Sequence, residues 1–90
     1  MNSQLNQNFE IAINIVNNLK KRPDDNELLN VYKFFKQAKF GNNETKEPGI
    51  LNFNKSAKWS AWMTVYGMSK DEAMQNYINL AMELFKKYGS

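Results

Sequence analysis

Tyr32, Phe35, Lys36 and Lys39 stand at positions i, i+3, i+4 and i+7 of one run, Leu28-Leu29-Asn30-Val31-Tyr32-Lys33-Phe34-Phe35-Lys36-Gln37-Ala38-Lys39. If that run is helical, the spacing puts all four on one side, with Leu28 and Leu29 pointing the same way. A surface helix ordinarily separates its apolar stripe from its charges. Here two lysines fall within or beside the arc that should meet the core. A buried ammonium is expensive unless something anionic meets it. An aromatic surface edged by ammonium groups suits a flat, phosphorylated ligand. A base stacked on an aromatic ring is worth roughly 1–3 kcal/mol. A charge-assisted phosphate contact adds about 1.5–3 kcal/mol.

The plainer account makes both aromatics core and lets both lysines snorkel to water. It suits Phe35, which sits beside Val31 and Ala38. It suits Lys36 and Lys39 less well, because neither has an acidic residue within a turn. The second group is Lys58-Trp59-Ser60-Ala61-Trp62. Its two tryptophans, three apart, read as core packing. Lys58 points elsewhere: alone it is a surface lysine, and paired with Lys36 it is the second arm of a phosphate clamp. Tyr77 is either a core tyrosine with a wet hydroxyl or a ligand donor, and periodicity leaves both open.

Other chemistry is poorly represented. The chain has no cysteine and no histidine. Disulfides and thiolate metal sites are excluded, and the commonest general base and metal ligand are missing. No activated nucleophile is visible, so an enzyme is not expected, and neither is a cofactor or a bound metal. Asp24, Asp25 and Glu27 read as helix caps rather than as a metal site. The four glycines form no phosphate-binding loop. The five methionines read as gap-fillers.

Four helices must position these groups. In the first, Leu5, Phe9, Ala12, Ile13, Val16 and Leu19 recur at helical spacing. Ile11 and Ile15 widen the stripe, which predicts neighbours on two sides. Lys20, Lys21 and Arg22 fall where cations complement the helix dipole, and Pro23 is the expected stop. Asp24 to Glu27 reads as a capping box for the second helix, which runs to about Phe40 with Gly41 as its end. Residues 42–54 form a long connection marked by Asn42-Asn43 and Pro48-Gly49. Long connections often span a domain or carry function. Its apolar Ile50, Leu51 and Phe53 predict that it packs down across the bundle. The third helix starts near Asn54 or Lys55, carries Trp59, Trp62, Met63 and Tyr66, and should end at Gly67. Ser69 to Glu72 reads as a second capping box. The fourth helix places Ala73, Tyr77, Leu80, Ala81, Leu84 and Tyr88 on one face, broadened by Met74, Ile78 and Phe85, with Gly89 after it. No segment reads as a strand, so the expected fold is all-α, a small four-helix bundle.

Ninety residues make one domain, 1–90, with a modest but sufficient core. Apolar residues at 42% and only two prolines argue against disorder. The polar start Met1-Asn2-Ser3-Gln4 carries no apolar signal region and no stretch is long enough to span a bilayer, so a soluble cytoplasmic protein is the default expectation. The formal charge of +3 is mild, and acids are interspersed with the bases. A partner with a few phosphates fits that balance better than a polynucleotide.

Taken together, these residues resemble the acyl-CoA-binding protein family. The resemblance is carried by Pro23-Asp24-Asp25, Leu28-Leu29-Asn30-Val31-Tyr32, Lys36-Gln37-Ala38-Lys39-Phe40-Gly41 and Pro48-Gly49-Ile50-Leu51-Asn52-Phe53. It continues through Lys58-Trp59-Ser60-Ala61-Trp62, Gly67-Met68-Ser69-Lys70 and Ala73-Met74-Gln75-Asn76-Tyr77-Ile78, and covers roughly Phe9 to Gly89. It implies an up-down-down-up bundle with the long connection between helices two and three, and a bowl-shaped site for long-chain acyl-CoA. By position, it implies that Tyr32, Lys36 and Lys58 meet the phosphates, chiefly the ribose 3′-phosphate. Phe35 would lie against the adenine and Tyr77 would line the adenine and ribose side. Phe9, Ala12 and Leu29 would line the site near the acyl chain and pantetheine.

The chain departs from the family pattern in places. Phe35 stands where tyrosine is common, which keeps stacking and loses a hydroxyl. Asn17 stands where many members have a lysine, leaving Lys20 and Lys33 as candidates for the missing charge. Tyr66 and Met68 replace more polar residues and should make the rim near the third helix more apolar.

The resemblance implies a carrier and pool former for medium- and long-chain acyl-CoA esters. It implies a monomer without stable membrane insertion, for which transient membrane contact fits the carrier role. The alternative from charge alone is a small basic helical nucleic-acid-binding domain, suggested by a pI near 9.2. Scarce arginine and interspersed acids speak against it. A third reading, a membrane-surface or protein-interaction module, needs an exposed apolar face. The two-sided stripes of helices one and four predict none.

Overall fold

The computed structural model describes residues 2–49 and 51–90. Four helices follow one another: α1 (Ser3–Asn17), α2 (Asp25–Phe40), α3 (Phe53–Met63) and α4 (Lys70–Tyr88). Among the described residues there is no strand, as expected.

Each helix begins where a short polar side chain accepts an otherwise orphaned backbone N–H. Asn2 Oδ1 accepts from Leu5 N at 3.0 Å, and Asn52 Oδ1 accepts from Lys55 N at 3.3 Å. At α2 the expected capping box is complete: Asp24 Oδ1 accepts from Glu27 N at 2.8 Å, and Glu27 Oε1 accepts from Asp24 N at 2.9 Å. At α4 only the serine half of the expected box forms, with Ser69 Oγ accepting from Glu72 N at 3.0 Å. Gly41 closes α2 with a φ of 78°, a conformation that costs glycine little.

The helix directions follow from contacts at their ends. Lys20 N and Lys21 N, just past α1, both donate to Tyr88 O at the end of α4, so α1 and α4 run the same way. Glu27 near the start of α2 meets Lys87 and Tyr88 at the end of α4, so α2 runs opposite to α4. Trp62 near the end of α3 donates to Gly41 O just past α2, so α3 runs with α2. This is the up-down-down-up order that the resemblance implied. α4 packs against both α1 and α2, and α3 packs against α2. The core gathers where α1, α2 and α4 meet, on Phe9, Ala12, Ala38, Ala73, Tyr77 and Ala81. The small residues on α4 let its neighbours approach closely.

Several expectations change. α1 ends at Asn17, well before Pro23, because Asn18 turns back to bond Asn14 O through its side chain and Ile15 O through its backbone. Lys20, Lys21 and Arg22 therefore lie outside the last helical turn. The backbone of α1 lies close to α4, its side chains also reach α2 at Phe9–Phe35 and Glu10–Lys39, and Ile11 nonetheless stays 56% exposed. Phe85 and Met82 are likewise exposed, so α1 and α4 do present apolar side chains to solvent. α3 ends at Met63, and a turn through residues 64–67 follows. The long connection is not packed through its apolar residues: Leu51 is 93% and Phe53 81% exposed, and Ile50 lies outside the described residues. Polar groups hold it instead. Asn43 is buried and donates to Trp59 O at 3.3 Å, Trp59 Nε1 donates to Thr45 O at 3.1 Å, and Tyr66 Oη donates to Glu44 at 2.8 Å.

One buried amide ties these parts together. Gln37 is fully buried, and its Nε2 donates to Met68 O at 2.8 Å and Asn42 Oδ1 at 2.9 Å. Its Oε1 accepts from Trp62 Nε1 at 3.1 Å. A buried amide with all these partners specifies one arrangement of α2, α3 and the start of α4. Among the described residues, no helix is long and apolar enough to cross a membrane.

Candidate functional site

A cavity of about 820 Å³ opens between the helices, within the roughly 300–1,000 Å³ usual for small-molecule sites. It exists because the backbone of α1 lies close to α4 and meets α2 through side chains at Phe9 and Glu10, so the C-terminal half of α1 stands away from α2 and α3. At the other end, the gap is closed by the Phe9 and Phe35 rings, 6.3 Å apart. α1 supplies Ile13, Val16 and Asn17 to the cavity. α2 supplies Asp25, Leu28, Leu29, Val31, Tyr32 and Phe35. α3 supplies Phe53, Asn54, Ala57 and Lys58, and α4 supplies Tyr77. The result is amphiphilic, with aliphatic walls and a lysine-flanked aromatic rim.

Five of the eight residues expected in the site line this cavity: Leu29, Tyr32, Phe35, Lys58 and Tyr77. Tyr32 and Lys58 come together across α2 and α3, with Lys58 Nζ 5.4 Å from the Tyr32 ring centre. Lys36 does not line the cavity, yet its Nζ is 5.8 Å from the same ring. Both ammonium groups thus flank one tyrosine, although 22 positions separate the two lysines in sequence.

Phe9 and Ala12 are not part of the cavity wall. They are 3% and 2% exposed in the core. The Phe9 ring meets the Tyr77 ring edge-on at 5.1 Å, so it supports the cavity from behind. Phe35 serves both core and cavity, packing against the core cluster while facing the opening.

Tyr77 is 3% exposed, and burial pushes its phenol up to about 12. It stays neutral at ordinary pH and can donate a hydrogen bond into the cavity. Every fully sealed side-chain nitrogen or oxygen among the described residues has a partner.

Lys39 has an acidic partner after all, Glu10 of α1 at 3.4 Å. Sequence proximity within α2 had no means of revealing it. This pairing leaves Lys58, not Lys39, as the neighbour of Lys36 near Tyr32.

Several wall residues carried no functional signal in the sequence, Arg22, Asp25 and Ala57 among them. Arg22 and Asp25, which the sequence assigns to helix-dipole and capping roles, form an ion pair at 3.1 Å on the cavity wall. Ala57 is exposed and lines the opening beside Lys58. Arg22 and Lys58 are the cations on the cavity wall that Asn17 also lines, whereas Lys20 and Lys33 are not on that wall. Lys33 instead lies 5.1 Å from the Phe34 ring centre. Tyr66 and Met68 are not on the cavity wall; the Tyr66 hydroxyl bonds Glu44 and the Met68 carbonyl accepts from Gln37.

A helical bundle with an open, amphiphilic cavity between its helices defines a class of small binding domain. The sequence profile of the family described as "Acyl CoA binding protein" matches residues 6–81, and the chain belongs to this family. It is 43% identical over 82 residues to "Acyl-CoA-binding protein homolog 1" of Caenorhabditis elegans, covering 91% of this chain and 95% of that protein. The "Acyl-CoA-binding protein homolog" of Drosophila melanogaster is 42% identical over 84 residues, covering 93% and 98%. Among solved structures, Oryza sativa Acyl-CoA-Binding Protein 2 superposes with a TM-score of 0.91 at 34% identity, covering 94% of this chain and 92% of that one. These comparisons lend the nucleic-acid alternative no support.

Proposed function

We propose that this chain binds medium- and long-chain fatty acyl-CoA esters reversibly and tightly, as a carrier and pool former, without chemistry of its own. One observation carries the reading: in a member of this family, a cavity with aliphatic walls has two lysines flanking the tyrosine at its rim. The ligand is amphipathic in the same sense, with a phosphorylated nucleotide at one end and a hydrocarbon tail at the other.

In this reading Tyr32, Lys36 and Lys58 meet the phosphates, chiefly the 3′-phosphate. Phe35 lies against the adenine, and the Tyr77 hydroxyl bonds on the adenine and ribose side. Leu29, with Leu28, Ile13 and Val16, shelters pantetheine and tail, while Phe9 and Ala12 back the wall. Residues 1–90 act as one acyl-CoA-binding domain, a monomer that works in the cytoplasm. It touches membranes only in passing, to take up or release its ligand. A binding role without catalysis fits a chain that lacks histidine and cysteine to activate a nucleophile.

Each sheltered methylene contributes about 0.8 kcal/mol, so ten contribute at most roughly 8 kcal/mol before ordering costs. Calorimetry with palmitoyl-CoA, free CoA and palmitate tests this directly. Palmitoyl-CoA should bind far more tightly than CoA, and palmitate poorly. Equal affinities for CoA and palmitoyl-CoA would overturn the sheltered tail. Absence of binding to any CoA ester would overturn the function.

A further inference from the structure

Lys36 is held in an unusual way for a lysine. Its Nζ lies 4.4 Å from the Phe40 ring centre, 4.9 Å from that of Trp62 and 5.8 Å from that of Tyr32. Among the described residues, the ion pairs belong to Arg22, Lys39 and Lys87, and none to Lys36. Three aromatic rings, and no paired carboxylate, therefore surround this ammonium.

The members of this cage differ in why they are there. Trp62 is 7% exposed and is fixed by its bonds to Gln37 Oε1 at 3.1 Å and Gly41 O at 2.9 Å. Tyr32 faces the cavity. Phe40 is 62% exposed at the last turn of α2, its ring 6.4 Å from that of Trp62. Packing alone gives such an exposed ring little reason for its place, whereas the ammonium beneath it does.

We infer that Phe40 is a positioning residue: with Trp62 and Tyr32 it holds the Lys36 ammonium in an aromatic cage, charged and preorganised for a phosphate. The inference rests on the proposed phosphate role of Lys36. An aromatic face attracts a cation through its quadrupole and carries no net charge. A carboxylate at the same place would cancel the charge that the phosphate needs and would repel the phosphate. The cage also restricts a flexible four-carbon stem before the ligand arrives, which lowers the ordering cost of binding.

The test uses calorimetry on the full chain with palmitoyl-CoA and with its analogue lacking the ribose 3′-phosphate. The variants are Phe40→Leu, which keeps apolar bulk without a π face, and Phe40→Trp, which restores one. Each is measured alone and in a Lys36→Ala background, with urea midpoints recorded alongside. Phe40→Leu should weaken palmitoyl-CoA binding about threefold to tenfold. Phe40→Trp should return it to within about twofold, and the analogue should bind both variants like wild type. In the Lys36→Ala background the Phe40→Leu loss should disappear. Wild-type affinity in Phe40→Leu overturns the inference, as does a loss that persists without Lys36 or without the 3′-phosphate. A wild-type chain that binds neither ester overturns the proposed function itself, a result distinct from failure of the cage.

Discussion

The Lys58 ammonium lies 5.4 Å from the centre of the Tyr32 ring, so α3 and α2 are joined at the cavity rim by a cation facing an aromatic surface. Lys36 approaches the same ring at 5.8 Å. Two positive charges close to one ring repel each other, and a phosphate bound as proposed would relieve that repulsion. Lys58→Ala and Lys36→Ala should each weaken acyl-CoA binding by roughly tenfold at low salt, and less as salt screens the contact. The double variant should lose less than the product of the two if both lysines reach one phosphate. Titration calorimetry at two ionic strengths measures this. No loss at low salt, or the same fold loss at both ionic strengths, would remove the phosphate role.

Tyr77 separates ring from hydroxyl. Its ring packs edge-on against Phe9 at 5.1 Å, while its phenol, raised to about 12 by burial, lines the cavity. Tyr77→Phe keeps the packing and removes the donor. Stability should stay within about 0.5 kcal/mol, and ligand affinity should fall about threefold to tenfold, the worth of one hydrogen bond. A loss of stability without a loss of affinity would make the hydroxyl structural.

Phe53 is 81% exposed yet lines the cavity, and Leu51 two residues earlier is 93% exposed. Side chains this exposed contribute little to folding. Phe53→Ser should leave the urea midpoint almost unchanged, within about 0.5 kcal/mol of stability. It should weaken palmitoyl-CoA binding more than CoA binding, because covering Phe53 with the tail removes apolar area from water. An equal effect on the two ligands would place Phe53 outside the tail's reach.

Glu27 fastens α2 to the end of α4. Its carboxylate accepts from Lys87 Nζ and Tyr88 Oη, each at 2.6 Å, and from Asp24 N at 2.9 Å. The Lys87 bond, then the Tyr88 and Asp24 bonds, hold its carboxyl down from the usual 4.5 to about 2. A carboxyl lowered by folding stabilises the fold above its unfolded value. That stabilisation fades as pH falls from 4.5 towards about 2. Urea midpoints should therefore drop more across this window in wild type than in Glu27→Gln. Parallel pH profiles for the two proteins would show that the contact does not feel the charge.

The chain by itself determined its helices and the kind of chemistry they carry. Asp24 and Glu27 announce the start of α2 because a capping box is a bond between near neighbours. The spacing of Tyr32, Phe35 and Lys36 assigns them to one sector of α2 because helical geometry is local. The motifs around Gln37, Trp59 and Trp62 likewise point to the family before any contact is seen.

What faces each sector was decided only in three dimensions. Lys39 meets Glu10, Gln37 meets Met68, and Glu27 meets Tyr88, at separations of 29, 31 and 61 residues. Periodicity shows which way a side chain points and not what stands opposite. The same limit explains Phe9 and Ala12, right in their apolar character but buried in the core behind the cavity. It explains Arg22 and Asp25, placed on the wall once α1 had ended at Asn17. It also explains Leu51 and Phe53, apolar in type yet left in solvent because Asn43, Trp59 and Tyr66 dock the connection through hydrogen bonds. The cavity itself belongs to tertiary structure, since it is the space left where the backbone of α1 follows α4 and its C-terminal half stands away from α2.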